Sequence, residues 1–174
     1  LSSVMTLLSL NLSLSTFPTH TPSSTISSST SYVLGDFTVN SSATYSNTSK
    51  ILVISGATDI NGTLTSSTGT LDANNSFDAT GGNVTFTGAG KLKLGGVVTS
   101  LGTFTKSTST VEYDYASPSL IDQQDYYNLE IDGNCLTAVS YGTTSVENEL
   151  KINSGSKLAV AGALSPASVD IDGT

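Results

Sequence analysis

LKLGGVVTSLGTFTKSTSTVEY, residues 92–113, contains two apolar-x-apolar triplets, Leu92-Lys93-Leu94 and Val111-Glu112-Tyr113, set 19 residues apart. In an extended chain alternate side chains point to opposite faces, so each triplet offers two apolar residues to one side and a charged one to the other. The figure recurs in both directions, as Leu52-Val53-Ile54, Leu71-Asp72-Ala73, Leu129-Glu130-Ile131, Leu150-Lys151-Ile152 and Val169-Asp170-Ile171. The intervals along the whole series are 19, 21, 19, 18, 21 and 19 residues. One step back lands on Val33.

Between triplets the stretch holds four apolar residues, Val97, Val98, Leu101 and Phe104, of which Val98 and Phe104 fall into two further series. A looser second series runs through Ile60, Phe77, Val98, Leu120, Val139 and Leu158, and a third through Leu64, Val84, Phe104, Tyr126, Val146 and Leu164. Turn dipeptides such as Asn61-Gly62, Gly81-Gly82, Gly95-Gly96 and Asp132-Gly133 punctuate the series. Three strand positions per turn of about 20 residues describe an all-β fold, a parallel β-solenoid (β-helix) of about eight turns. Helices lack support, because no segment sustains a 3.6-residue period. An antiparallel sandwich also places strands at short spacing, but it does not require the first series to keep its interval.

Stacking the turns sets the middle residues of the main series, Asp72, Lys93, Glu112, Glu130, Lys151 and Asp170, in one outward column with a rung spacing of about 4.8 Å. Lys93 and Lys151 then each fall between two acids, an arrangement that helps to fix register.

The chain carries six lysines, no arginine and a net charge of −8. That balance argues against nucleic-acid binding and against docking on anionic lipid. Only 11% of residues are charged, and Ser, Thr, Gly and Asn supply the polarity, as expected of an extracellular or cell-surface protein. Cys135 has no partner within the chain and reads as a small buried apolar residue. Given export, the sequons at Asn11, Asn40, Asn47, Asn61, Asn74 and Asn83 are candidate acceptors for covalent glycans.

Residues for chemistry are sparse. The densest acidic group is Glu112, Asp114, Asp122 and Asp125, with Lys106 the nearest base in sequence, which falls short of the clustered carboxylates of glycan-cleaving enzymes. TDING, EIDGN and DIDGT read as Asp/Asn-Gly turns at strand ends rather than calcium loops. His20, the only histidine, stands in a Thr/Pro stretch without other ligands nearby. The expectation is no enzyme, no cofactor and no metal.

At the front, LSLNLSLS (8–15) alternates leucine with small polar residues. A signal peptide has a basic start and an unbroken apolar core; here the first basic residue is Lys50. The segment 1–16 reads as an extended strand in which Leu8, Leu10, Leu12 and Leu14 form an assembly face donated to a neighbouring subunit. Residues 17–31 form a Ser/Thr/Pro linker, and 32–174 the solenoid. The C-terminal SVDIDGT stops at the end of a triplet with no polar cap following, so the expectation is either that the chain continues beyond it or that a neighbouring molecule covers it.

The run GTFTKSTSTVEYDYASPSLIDQQDYYNLEIDG, residues 102–133, resembles a motif repeated in large secreted and surface-anchored β-helical proteins of prokaryotes: a G-T-F then S-T-V strand, a polar stretch ending in Q, and a Y-N-L-x-I strand. The chain departs from that pattern with D-Q-Q where a Gly-rich turn is usual. The resemblance implies extracellular adhesion or scaffolding and no catalytic residues. The expected function is a homopolymeric, filament-forming structural subunit stacked end to end without membrane insertion; the alternative is a glycan- or surface-binding module of a larger adhesin.

Overall fold

The computed structural model describes residues 5–7, 10–12, 30–115, 119–132, 138–140 and 143–172, with side chains at 30–115, 121–132 and 143–172. Every strand pairing among them is parallel, and the described residues include no helix. The fold is a parallel β-solenoid. Its first sheet has nine strands: Met5–Leu7, Thr30–Val33, Ile51–Ile54, Thr70–Ala73, Lys91–Leu94, Thr110–Tyr113, Asp125–Ile131, Thr143–Ile152 and Ala163–Ile171. A second sheet stacks Leu10–Leu12, Phe37–Val39, Thr58–Ile60, Phe77–Asp78 and Val98–Ser100, and a third stacks Thr44–Asn47, Thr63–Ser66, Asn83–Phe86 and Thr103–Thr105. Beyond Val98–Ser100 the second wall passes to a fourth sheet of Ser119–Ile121, Ala138–Ser140 and Leu158–Val160.

The triplets fold as their alternation dictates. Leu52, Leu71, Leu92, Val111, Leu129, Leu150 and Val169 lie in one register column, as do Ile54, Ala73, Leu94, Tyr113, Ile131, Ile152 and Ile171. From Leu52 to Leu150 the first column is buried throughout. The middle residues form the expected outward column in full: Asp72, Lys93, Glu112, Glu130, Lys151 and Asp170 are consecutive register partners. Inside, Phe86 and Phe104 meet edge to face with centroids 6.1 Å apart, a favoured aromatic geometry.

The looser series are partly corrected. Leu64, Val84 and Phe104 are register partners, and so are Tyr126 and Val146. Leu164, however, pairs with Thr144, while Val146 pairs with Pro166. In the second series Ile60 stands opposite Val39 and Phe77 opposite Thr58, so Ile60 and Phe77 occupy different columns. Leu158 pairs with Ala138 rather than Val139. These walls are short, and the corners between them vary in length, so interval alone does not set their alignment.

The corners depend on glycine. Where the second wall turns into the third, a Cβ on Gly82 would sit 1.9 Å from the Ile60 carbonyl oxygen. One turn on, Gly102 has φ +66° and its Cβ would lie 2.3 Å from the Ala79 oxygen, a conformation and an approach that only glycine accepts cheaply. The corner from the third wall to the first persists through Thr103–Thr105 and Thr110–Tyr113. Beyond it the third and first walls run together as single strands of 7, 10 and 9 residues. DYYNLEI, TTSVENELKI and ALSPASVDI contain no glycine, and the corner relaxes into register shifts between Tyr126 and Asn128 and between Val146 and Glu149.

The opening segment forms two short strands in place of one. Met5–Leu7 pairs with Ser31–Val33, and Leu10–Leu12 with Phe37–Val39, adding a first rung to the solenoid of the same chain. Leu10 and Leu12 stand in register with Phe37 and Val39, which are buried. Leu8, Leu14, His20 and Cys135 lie outside the described residues, and the first described strand after the linker begins at Thr30.

Replacing Leu92 or Leu129 with Ala is expected to cost about 2 to 5 kcal/mol in a denaturant titration, the range for a packed core leucine. Gly82→Ala should lose about 1 to 3 kcal/mol through overpacking. Gly88→Ala should lose less in the same titration, since the nearest atom to its Cβ would be 3.1 Å away.

Candidate functional site

The outer face of the first sheet gathers most of the chain's charge. Glu112 points outward from the middle of Thr110–Tyr113 yet is only 2% exposed, because charged neighbours on the adjoining rungs close over it. Lys93, one rung back, sets its Nζ 3.0 Å from Glu112 Oε1 and 3.7 Å from Asp114 Oδ2. Lys91, two residues earlier on the same strand, ion-pairs with Glu112 and reaches Glu130 Oε2 at 2.8 Å, spanning two rungs. Asn153 donates to Glu130 Oε1 at 2.9 Å. Two like-charged rungs, Glu112 and Glu130, are thus register partners, joined through one ammonium.

The column therefore pairs differently from the simple expectation. Lys93 lies in register between Asp72 and Glu112, but its ion pairs go to Glu112 and Asp114. Lys151 lies between Glu130 and Asp170, and its ammonium pairs with Asp172 Oδ2 at 3.2 Å. Sequence reasoning missed Lys91 and assigned Asp114, Asp132 and Asp172 to an acidic group and to strand-end turns rather than to this face. They stand one alternation before or after the column, on the same outward face, and the period-2 rule applied beyond each triplet would have found them.

Burial pushes the Asp72 and Asp114 carboxyls above the ordinary aspartate range, with Lys93 only partly offsetting it and Glu112 adding to it. Asp72 Oδ1 and Asp114 Oδ1 are each buried without a hydrogen-bond partner, which gives that penalty its physical form. For Glu130 burial acts upward too, but the hydrogen bonds from Lys91 and Asn153 outweigh it and hold the carboxyl below its ordinary value. Burial would lower Lys91, and its bonds to Glu112 and Glu130 reverse that and raise it.

Carboxylate oxygens of Glu112, Glu130 and Asp132 lie within 4.8 Å of one another, a spacing that could hold a cation. The Lys91 ammonium already bridges the two glutamates, so the protein's own cation stands where a metal would. The acidic group noted in the sequence divides: Glu112 and Asp114 belong to this face, while Asp122 and Asp125 are engaged at the following corner. Asp122 Oδ2 accepts from the Leu101 amide at 2.7 Å, and Asp125 accepts from Ser145 Oγ. Lys106 pairs with Glu147 at 3.3 Å. The same corner is pinned from inside by Tyr113 and Tyr126, both fully buried with hydroxyls 3.2 Å apart. Tyr126 also donates to the Asp122 carbonyl at 2.7 Å. In TDING, Asn61 Nδ2 donates to Asp59 Oδ2 at 2.9 Å, as in a self-contained turn.

The sequons differ in surroundings. Asn61, Asn74 and Asn83 are exposed and Asn40 is half-buried. Asn47 is buried at the corner, where its amide nitrogen donates to the Lys50 and Thr70 carbonyls at 2.9 and 3.1 Å; a glycan there would displace those bonds. The side chain of Asn11 lies outside the described ones. No protein-family model, curated protein or solved structure matches the chain.

Lys91→Met should cost on the order of 1.5 to 3 kcal/mol, since it removes the cation shared by buried Glu112 and by Glu130 and leaves one oxygen of each without it, whereas exposed Lys157→Met should stay within about 0.5 kcal/mol. Denaturant midpoints compare the two. Because Glu130 is depressed, its contribution is complete above the ordinary glutamate pKa and is lost as pH falls through the depressed one. Asp72 is raised, so its ionisation opposes folding at neutral pH and the cost is relieved on acidification. Asp72→Asn should therefore raise the unfolding midpoint at pH 7, with the gain shrinking as pH falls through the raised value.

Proposed function

We propose that this chain is a structural subunit of an extracellular fibre or surface layer, built by end-to-end stacking of solenoids. The observation that carries the reading is the continuous parallel stacking of the first sheet, whose rungs each accept another of the same geometry. Val169 and Ile171 occupy the two interior columns, yet they are 53% and 62% exposed, and Val160 on the adjoining wall is 49% exposed. The outer edge of Ala163–Ile171 has no strand beside it among the described residues. Such an edge is a template for another parallel strand.

The first rung supplies a matching surface. Among the described residues, Met5–Leu7 and Leu10–Leu12 are edge strands of the first and second sheets, each paired on one side. Stacked on the last rung of a second copy, Met5–Leu7 continues the register of Val169–Ile171 and Leu10–Leu12 covers the Leu158–Val160 wall. Strand addition then proceeds through the free edge of a rung that stays on its own solenoid. Residues 1–29 contain no Asp, Glu, Lys or Arg, so the junction meets Asp170 and Asp172 without like-charge repulsion. The hydroxyl- and amide-rich surface and the resemblance of residues 102–133 to surface β-helical proteins support the extracellular setting.

Burying Val169 and Ile171 contributes roughly 1.5 to 3 kcal/mol each, so losing both should weaken each junction by about two to four orders of magnitude. Sedimentation and electron microscopy of Val169→Asp/Ile171→Lys should show folded monomers, with Val97→Lys, at an exposed site away from the end, still forming fibres. Deleting residues 1–12 should likewise leave folded, unassembled protein. Wild-type chains that remain monomeric at high concentration, or double-mutant fibres of unchanged length, would sink the stacking reading.

A further inference from the structure

The outer face of the third sheet differs from the outward faces of the first and second sheets. Its first outward column is Thr44, Thr63, Asn83 and Thr103, and its second is Ser46, Thr65, Thr85 and Thr105. Just past the strand ends, the bonds from Ser67 N to Asn47 O and from Thr87 N to Ser66 O align Thr48, Ser67 and Thr87 as a third. Ten of these eleven positions are Ser or Thr, and none is charged. A composition rich in hydroxyls does not explain this by itself, because the neighbouring outward face carries Asp72, Lys91, Lys93 and Glu112 over the adjoining strands, and the second sheet carries Asp59 and Asp78. Over these four rungs, hydroxyls are concentrated on the third wall and charge is kept off it.

The grid is regular. No register shift interrupts the third sheet, whereas the first and second sheets each contain one or more. Hydroxyls therefore repeat at about 4.8 Å from rung to rung and about 6.6 Å along each strand, over a patch of roughly 14 by 13 Å. Behind them Leu64, Val84 and Phe86 are buried and fix the backbone. Threonine is stiff at χ1, so the hydroxyl positions are set largely before anything binds.

Each hydroxyl donates one hydrogen bond and accepts others, and waters held by such groups bridge at small entropic cost. A fixed two-dimensional array of hydroxyls with interleaved methyls, free of ions that would orient water about themselves, imposes on its first water layer a repeating order. We propose that this face binds ice, the crystalline form of water, through the layer it orders. A polysaccharide surface fits less well, because sugar rings seek flat apolar side chains and no aromatic residue occupies an outward grid position. The proposal does not depend on end-to-end assembly, since the grid lies within one chain.

The test is partition of the full-length chain into slowly growing ice, with thermal hysteresis measured alongside. Wild type should enter the ice. Thr65→Tyr and Thr85→Lys, at the centre of the grid, should be excluded like an ordinary solute, while Thr70→Tyr, outward on the first sheet, should enter as wild type does; circular dichroism confirms that each variant is folded. Exclusion of the wild type from ice overturns the proposal whatever the variants do, and so does equal entry by folded Thr65→Tyr or Thr85→Lys. Capture on crystalline cellulose or chitin with exclusion from ice would also overturn it and assign the grid to a polysaccharide.

Discussion

Parallel in-register stacking is the constraint from which the rest follows. Each rung obtains its backbone hydrogen bonds from the rungs on either side, so a residue's closest neighbours lie about 20 positions away in the chain and occupy the same column. A column must then be chemically tolerable along its whole length. Inside, this means branched and aromatic side chains one above another; outside, it means that a charge always faces whatever the preceding and following turns present. Corners must let two backbones pass at contact distance, which accounts for Gly82 and Gly102 where they stand.

The outward face of the first sheet shows how the constraint is met when it would otherwise be violated. Glu112 and Glu130 are stacked in adjoining rungs, a like-charge pairing that destabilises a sheet. Lys91 sits beside the column and crosses both rungs, and Lys93 takes the other oxygen of Glu112. Compensation is lateral as well as vertical, which is why the simple alternation of signs along one column does not describe the ion pairs that form. Asp72 and Asp114 pay the remaining electrostatic cost, with buried oxygens that no donor reaches.

How far the fold was legible depended on how many independent signals marked each wall. The first sheet carried two, a pair of apolar residues and a polar residue between them at a nearly constant interval, and its register from Leu52 to Ile171 could be read directly. The second wall carries only single apolar residues, and interval alone sets Ile60 and Leu158 in columns they do not occupy. The merging of the third and first walls after Thr110–Tyr113 was written as an absence, the lack of glycine between 125 and 131 and between 143 and 152, and absences are hard to weigh against a periodic pattern. The opening leucines suited a strand, but alternation does not say which edge a strand will join. Lys91 was hidden because its role comes from side-chain reach across two rungs, a distance that sequence spacing along one column does not express.

The single ammonium that spans Glu112 and Glu130 also restricts how such a protein can change length. A solenoid is most easily altered by duplicating or deleting one whole turn, since the backbone joins as well at any rung. Between residues 30 and 86 such an event leaves ion pairs untouched, because the described ones begin at Lys91. Between 91 and 131 it separates Lys91 from one glutamate or brings a third acid beside it. The turns are geometrically interchangeable and electrostatically ordered, so growth by duplication is open in the first part of the coil and closed in its charged centre.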